Sequence, residues 1–563
     1  MPHLRPEPPT SPPTSAPSTT PSSGGVEDLG KTKPATPNNQ SMPRKQPPRV
    51  QPKPVTSSLA PIKPAEWGYD QARHLLWRAG FGGSPKQVRT VASWGLKKAV
   101  DYLVDYSEVP FEKVVPEAFN KDIMRPANGE ERAEVAKARR SGDEESVARL
   151  RAMRQEAERV DRQQMREIQH WWVKRLIESP RPLEEKMTLF WHGHFATSYR
   201  TIEDSYHMFM QNQLFRKHAV GNYGKLLYEI IRDPAMIAYL DNNDSRKGKP
   251  NENLARELME LFSLGVGNYT EQDIKEGARA LTGFTFYDDE FSFQKDNHDT
   301  GNKKILGKSG PLDGDGFVSA ILESRNCARY MAQKLYRFFV ADFPTGRDEI
   351  DKPAESVMRQ IASSLVSNKY ELKPVLKKLF SSEHFYDPAI LREQIKGPTE
   401  LVVGAVRSLD APVRDLGVLA DAMNLMGQNL FFPPSVKGWD GGRSWVNTAT
   451  LFIRQNILCF LLTGKTPQGY DALAKSERYD ARAFLSSLDP SGDGTTGPFA
   501  GKPSEGELSQ VVDEILRFTL GTVDPINKEN LISYFSTRAN KLNDETLTGA
   551  LLLITSMPEY QLC

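Results

Sequence analysis

The stretch Arg181-Pro182-Leu183-Glu184-Glu185-Lys186-Met187-Thr188-Leu189-Phe190-Trp191-His192-Gly193-His194-Phe195 carries both the period and the chemistry around which this 563-residue chain is read. Leu183, Met187, Phe190 and His194 recur at the spacing of one helical face, while His192 faces the other way. Residues two apart on a helix point roughly 200° apart, so the two imidazoles diverge if the helix continues. A helix that ends at Gly193 instead leaves His-Gly-His extended, with both rings free to meet on one side. H-x-H in an extended segment is a metal-ligand spacing, and neutral imidazole suits zinc, iron or copper. The same residues also read as a buried His194 and a hydrogen-bonded His192.

On either side the helical pattern recurs. Closely spaced amphipathic segments follow at 204–219, 222–232, 251–264 and 271–282. Around 284–306 the period changes, because Phe284 and Phe286, then Phe291 and Phe293, alternate across a short acidic turn as a hairpin does. Helical patterning resumes at 316 and returns in segments to about 463, then at 508–519, 527–539 and 544–556. The expected class is mainly α: a large irregular helical domain with one small β-hairpin element.

Towards the N-terminus, order is expected from near Trp67, where Ala72, Leu75, Leu76 and Ala79 fall at helical spacing. Ser84-Pro85 reads as an N-cap followed by proline at the first helical position, opening a helix to about Leu103. Residues 130–169 are a charged helical insertion, rich in opposite charges three or four apart. Residues 1–65 are rich in Pro, Ser and Thr with almost no large apolar residues, and read as a disordered leader. The helical domain is then 66–563, with C-terminal helices at about 508–556 and a Gly/Ser/Pro-rich loop at 489–507.

Composition removes several classes. A formal net charge of +1 gives no global field for nucleic acid. The three cysteines are far apart, with no C-x-x-C pair, so no zinc knuckle or thioredoxin-like site is written. No stretch reaches the roughly 20 apolar residues of a membrane span. The first residues lack a signal peptide's apolar region, which reads as a cytoplasmic chain. P-loop, dinucleotide-fold, G-x-S-x-G and H-E-x-x-H motifs are all missing.

Two further constellations carry chemistry. In Lys249-Pro250-Asn251-Glu252-Asn253-Leu254-Ala255-Arg256-Glu257-Leu258-Met259-Glu260-Leu261-Phe262, the wheel buries Leu254, Leu258, Leu261 and Phe262. Asn253, Glu257 and Glu260 share a flanking line, with Glu252 and Arg256 on the far side. Two carboxylates one turn apart suit acid/base work or metal ligation, and are equally those of an amphipathic surface. Asn297-His298-Asp299-Thr300-Gly301 offers a ligand, a base or a side-chain-stabilised turn. In Pro433-Pro434-Ser435-Val436-Lys437-Gly438-Trp439, the glycine-flanked Trp439 suits stacking or anchoring.

Together these segments resemble a known family. Arg73-His74-Leu75-Leu76-Trp77-Arg78-Ala79-Gly80-Phe81-Gly82, the Arg181–Phe195 stretch, Asp233-Pro234-Ala235-Met236, the Asn251–Phe262 run, Gly265-Val266-Gly267-Asn268-Tyr269-Thr270, His298-Asp299 and Val436–Trp439 look like the bacterial domain of unknown function 1800. The resemblance spans about 68–465 in order. It implies a predominantly helical fold, an export signal in many members, and a protein partner encoded nearby by an uncharacterised, sulfatase-like family. It also implies that His192, His194, Arg256, Glu257, His298 and Asp299 belong to family motifs. This chain departs from the pattern at Gly193, where asparagine is usual, in its leader, and in the length of its charged insertion.

Two functions follow as expectations. One is a hydrolase, metal-assisted or acid/base, with Glu257, Glu260, Arg256 and Asp299 as catalytic candidates. His192, His194 and His298 would then be ligands of a divalent metal. The other is a non-catalytic binding or assembly protein in which the same residues form a buried polar network.

Overall fold

The Arg181–Phe195 stretch forms a helix, Pro182–His194, with proline at its start and Glu184 and Glu185 in the first turn. Proline's fixed φ and negative charge both favour a helix N-terminus. The computed structural model describes residues 55–111, 119–412, 415–465, 479–489, 497–499 and 503–563. This helix is not amphipathic in its setting: every residue except Gly193 is buried. A helix buried all round lies at the centre of its domain. Against it pack the Glu144–Glu178, Ser205–Lys217 and Leu96–Val104 helices.

Polar groups inside such a helix need partners. The Glu185 carboxylate, fully buried, receives Arg216 Nε and Nη2 at 3.0 Å each, Trp172 Nε1 at 3.1 Å, and Arg175 Nε. Burial pushes its proton affinity up, but Arg216 and Arg175 together hold it below the usual carboxylate range. One residue on, Lys186 pairs with Glu400 at the start of the Pro398–Ser408 helix. Three further helices are thereby tied to the central one by charge.

Among the described residues there are 23 α-helices and two small two-stranded antiparallel sheets. The Phe-rich hairpin pairs Phe284–Tyr287 with Glu290–Phe293, Phe284 opposite Phe293 and Phe286 opposite Phe291. A second hairpin, Lys303–Ile305 with Lys308–Gly310, was not legible, because three-residue strands give too short an alternation. The helix opened by Ser84 and Pro85 stops at Ser93, and another begins at Leu96. Gly95 between them has φ 77°, a left-handed conformation that ends a helix.

The charged stretch forms two helices, Gly129–Ser141 and Glu144–Glu178, turned back on each other at Gly142. The described chain packs earlier than Trp67: Val55, Leu59 and Ile62 are buried, and Ile62 N–H donates to the Ser381 carbonyl at 3.0 Å. The rest of the proposed leader, and much of the loop at 489–507, lie outside the described residues. At the C-terminal end the Glu505–Leu520, Pro525–Ser536 and Asp544–Thr555 helices pack together. Arg73 of the first α-helix donates to the Thr519 carbonyl at 3.1 Å and so joins them to it. No helix among the described residues is long and apolar enough to cross a membrane.

Glu185→Gln keeps the shape but leaves two buried guanidinium groups facing a neutral amide. Urea unfolding should show a loss of about 3–5 kcal/mol. A loss below about 1 kcal/mol, the worth of an exposed ion pair, would deny this carboxylate its organising role.

Candidate functional site

The tripeptide His192-Gly193-His194 divides its tasks. The helix runs through Gly193 to His194, so the extended H-x-H alternative is not realised and the imidazoles take different partners. His192 Nε2 accepts the Phe431 N–H at 2.9 Å, and its ring lies among Trp172, Phe431 and Trp439. His194 Nε2 lies 2.8 Å from the Phe262 carbonyl. A carbonyl only accepts, so Nε2 carries the proton and Nδ1 keeps its lone pair. That Nδ1 is buried and has no hydrogen-bond partner among the described residues. Burial lowers both imidazoles to about 3, with the Lys334 charge adding to the effect at His194.

None of the other predicted residues is a hydrogen-bond partner of this pair among the described residues. Asp299 is held by Arg279 at 2.9 and 3.1 Å and by the Gly301 N–H, which brings it to about 2. His298 Nδ1 bonds the Thr282 carbonyl at 2.8 Å. On the Asn253–Glu260 helix, Glu260 accepts from the Tyr269 hydroxyl at 2.6 Å, and Arg256 pairs with Glu252 and Glu271. Glu257 is half-buried, and its pKa is raised from the ordinary carboxylate value, by burial first and then by the charge of Glu260. The expected convergence of His192, His194 and His298 on one ion is not found. Among the described residues no group of three or more His, Cys, Asp or Glu side chains is placed to hold a metal.

The structure instead brings His194 into a cleft of about 190 Å³. Gly193, Phe190, Phe338 and Trp439 give it apolar walls, while Lys334, Glu400 and Gln428 supply polar ones. The Arg325–Phe339 helix contributes Lys334 and Phe338, the latter packed on Phe190 with ring centroids 5.0 Å apart. The Val436–Trp439 segment presses on the central helix so closely that a β-carbon at Gly438 would collide with the Gly193 carbonyl oxygen. Gly438 also has φ 78°, so two constraints select glycine there. A β-carbon at Gly193, by contrast, would meet the Trp439 ring at 3.7 Å, an ordinary contact.

The family model described as a protein of unknown function, DUF1800, matches residues 74–562. The chain belongs to the DUF1800 family. No curated protein and no solved structure matches it.

In this DUF1800 protein the cleft holds two unsatisfied groups and one cation without a carboxylate. Trp439 Nε1 is buried with no acceptor among the described residues, as His194 Nδ1 is without a donor. The Lys334 ammonium has no carboxylate within ion-pair distance among them and lies 5.1 Å over the Tyr330 ring. Burial, then Arg337 and Lys437, lower its pKa to about 8. Glu400 is already satisfied, by Lys186 and by the Gly397 N–H at 2.8 Å. Lys334 and Glu400 were invisible in sequence, where Lys334 is one of four basic residues on its helix and Glu400 an acid in a first helical turn, where acids are common.

The buried imidazoles predict acid sensitivity. Their folded pKa lies below the unfolded value of about 6.5, so the unfolded chain binds more protons and stability falls as pH drops from 6.5 towards 3. His192→Gln retains an acceptor for Phe431 but cannot titrate. Urea unfolding across that window should show a shallower slope, by about 1.4 kcal/mol per pH unit at most. An unchanged slope would contradict the neutral, buried His192.

Proposed function

We propose that this DUF1800 protein binds a small ring-shaped polar ligand in the His194–Trp439 cleft. One observation carries the reading: His194 and Trp439 line the same cleft, and each has a buried ring nitrogen, Nδ1 and Nε1, with no partner among the described residues. Each unsatisfied buried group costs about 1–3 kcal/mol, and a ligand whose polar groups reach either nitrogen as the side chains adjust offsets that cost. The walls suit this, since apolar surface with a few fixed polar groups is the usual make-up of a small-molecule site.

An acid/base hydrolase at the same cleft is the second reading, and Lys334 favours it. A group near pKa 8 is matched to proton transfer at neutral pH, whereas an imidazole at about 3 is a weak base and acts better as a fixed acceptor. Lys334 would then be the proton donor, with His194 orienting the substrate hydroxyl or water. Asp299 and Arg256, both engaged in ion pairs, support structural roles. Glu257 and Glu260 remain candidates for chemistry of their own. The metal-assisted variant gains no support from a ligand set among the described residues.

Trp439→Phe separates binding from packing, because it removes the donor and keeps an aromatic wall. Stability without ligand should not fall by more than about 1 kcal/mol, since no hydrogen bond is lost and the cost of the orphaned donor, about 1–3 kcal/mol, is removed against the packing that the smaller ring gives up. Thermal stabilisation by the neutral rings phenol and methyl glucoside should be present in the wild type and reduced in the variant. No stabilisation of the wild type by any ring compound, neutral or charged, would overturn the reading.

A further inference from the structure

The cleft opens onto a second, larger basin. Lys334, Arg337, Asp342, Ile395, Lys437 and Trp439 are among the residues that line both. The outer basin adds Arg347, Glu393 and Arg443, so five cations face three carboxylates. Those carboxylates already have partners: Asp342 lies 3.6 Å from Arg337, Asp440 lies 2.6 Å from Lys437, and Glu393 pairs with Arg347. The excess is therefore positive, and it sits where low-dielectric walls concentrate its field. Lys334 stands at the junction, half-buried, with no carboxylate in reach among the described residues.

Size sets the other half of the ligand. A cavity of about 150 Å³ is known to hold one benzene. The inner cleft of about 190 Å³ accordingly has room for a six-membered ring. Its walls at Phe190, Phe338 and Trp439 suit a ring.

We propose that the ligand is a single six-membered ring bearing an oxyanion, the ring beside Gly193 and Trp439 and the phosphate, sulfate or carboxylate group on Lys334, Arg337 and Lys437. This rests on the reading of the cleft as a ligand site. Phosphate, sulfate and carboxylate share the chemistry that ammonium and guanidinium groups recognise, namely charged acceptor oxygens. The anion meets the charge that Lys334 leaves uncompensated, and Gly193, which has no side chain, leaves room for the ring.

Isothermal titration of the full-length protein tests this with phenyl phosphate, phenyl sulfate and benzoate, beside phenol and inorganic phosphate as the separate halves. At least one of the ring anions should bind about tenfold or more tighter than phenol, and tighter than inorganic phosphate, with the advantage shrinking as salt is raised. Lys334→Met should remove most of that advantage, and Lys334→Arg should restore part of it. Gly193→Leu puts a side chain in the ring's place on a helix that favours leucine over glycine. It should lose the ring anions while keeping weak inorganic phosphate binding. Ring anions that bind no tighter than phenol, or that ignore Lys334→Met, overturn the proposal. If phenol binds and the charged group adds nothing, the oxyanion fails while the cleft reading stands. If no ring compound binds, both fail. Which anion binds tightest identifies the head group.

Discussion

An ionised carboxylate in a protein interior survives only where charge and hydrogen bonds replace the water it has lost, and Glu185 meets that condition through three residues on two helices. Arg175 and Trp172 come from the Glu144–Glu178 helix, Arg216 from the Ser205–Lys217 helix. Because the partners must all reach one carboxylate, the helices that carry them cannot rotate or slide independently of the Pro182–His194 helix. The neighbouring Lys186–Glu400 pair extends the same constraint to the Pro398–Ser408 helix. Buried ion pairs are weak evidence for net stability, but removing one partner is costly, and that asymmetry enforces register.

Register at the N-terminal half of the helix determines what happens at its C-terminal end. His192 fixes the Phe431 backbone, and the chain leading from there brings Gly438 hard against the Gly193 carbonyl. His194 is fixed by the Phe262 carbonyl, which also accepts from the Tyr223 hydroxyl at 2.6 Å. The segments Asn251–Phe262 and Arg181–Phe195, far apart in sequence, thus meet through one hydrogen bond rather than through their carboxylates. The cleft is what remains between these fixed points and the Arg325–Phe339 helix.

Polar groups in this protein fall into two kinds. Glu185, Glu400, Asp299 and His192 are supplied with partners, and their chemistry is used up in holding the fold. His194 Nδ1, Trp439 Nε1 and the Lys334 ammonium lack such partners and share one cleft. Other buried polar atoms, such as both ends of the Asn212 amide, also lack partners among the described residues, so it is the sharing of one cleft with an unpaired ammonium that singles out His194 and Trp439.

Sequence alone determined the helical class, the Phe-rich hairpin and the stripe of Leu254, Leu258 and Phe262, because hydrophobic period is a local property that neighbours in the chain write directly. It also marked His194, Gly193 and Trp439 as residues of interest. It left open whether the helix passes through Gly193, since helix-ending and helix-continuing readings both suit H-G-H. Tertiary structure decided that point by burying the helix to its end, and it parted His192 from His194 accordingly. Lys334, Arg337 and Glu400 became site residues only through packing, because a charge on a helix face carries no local sign of what lies opposite it. The orphaned His194 Nδ1 is likewise a tertiary fact: Phe262, 68 residues away, claims the other ring nitrogen.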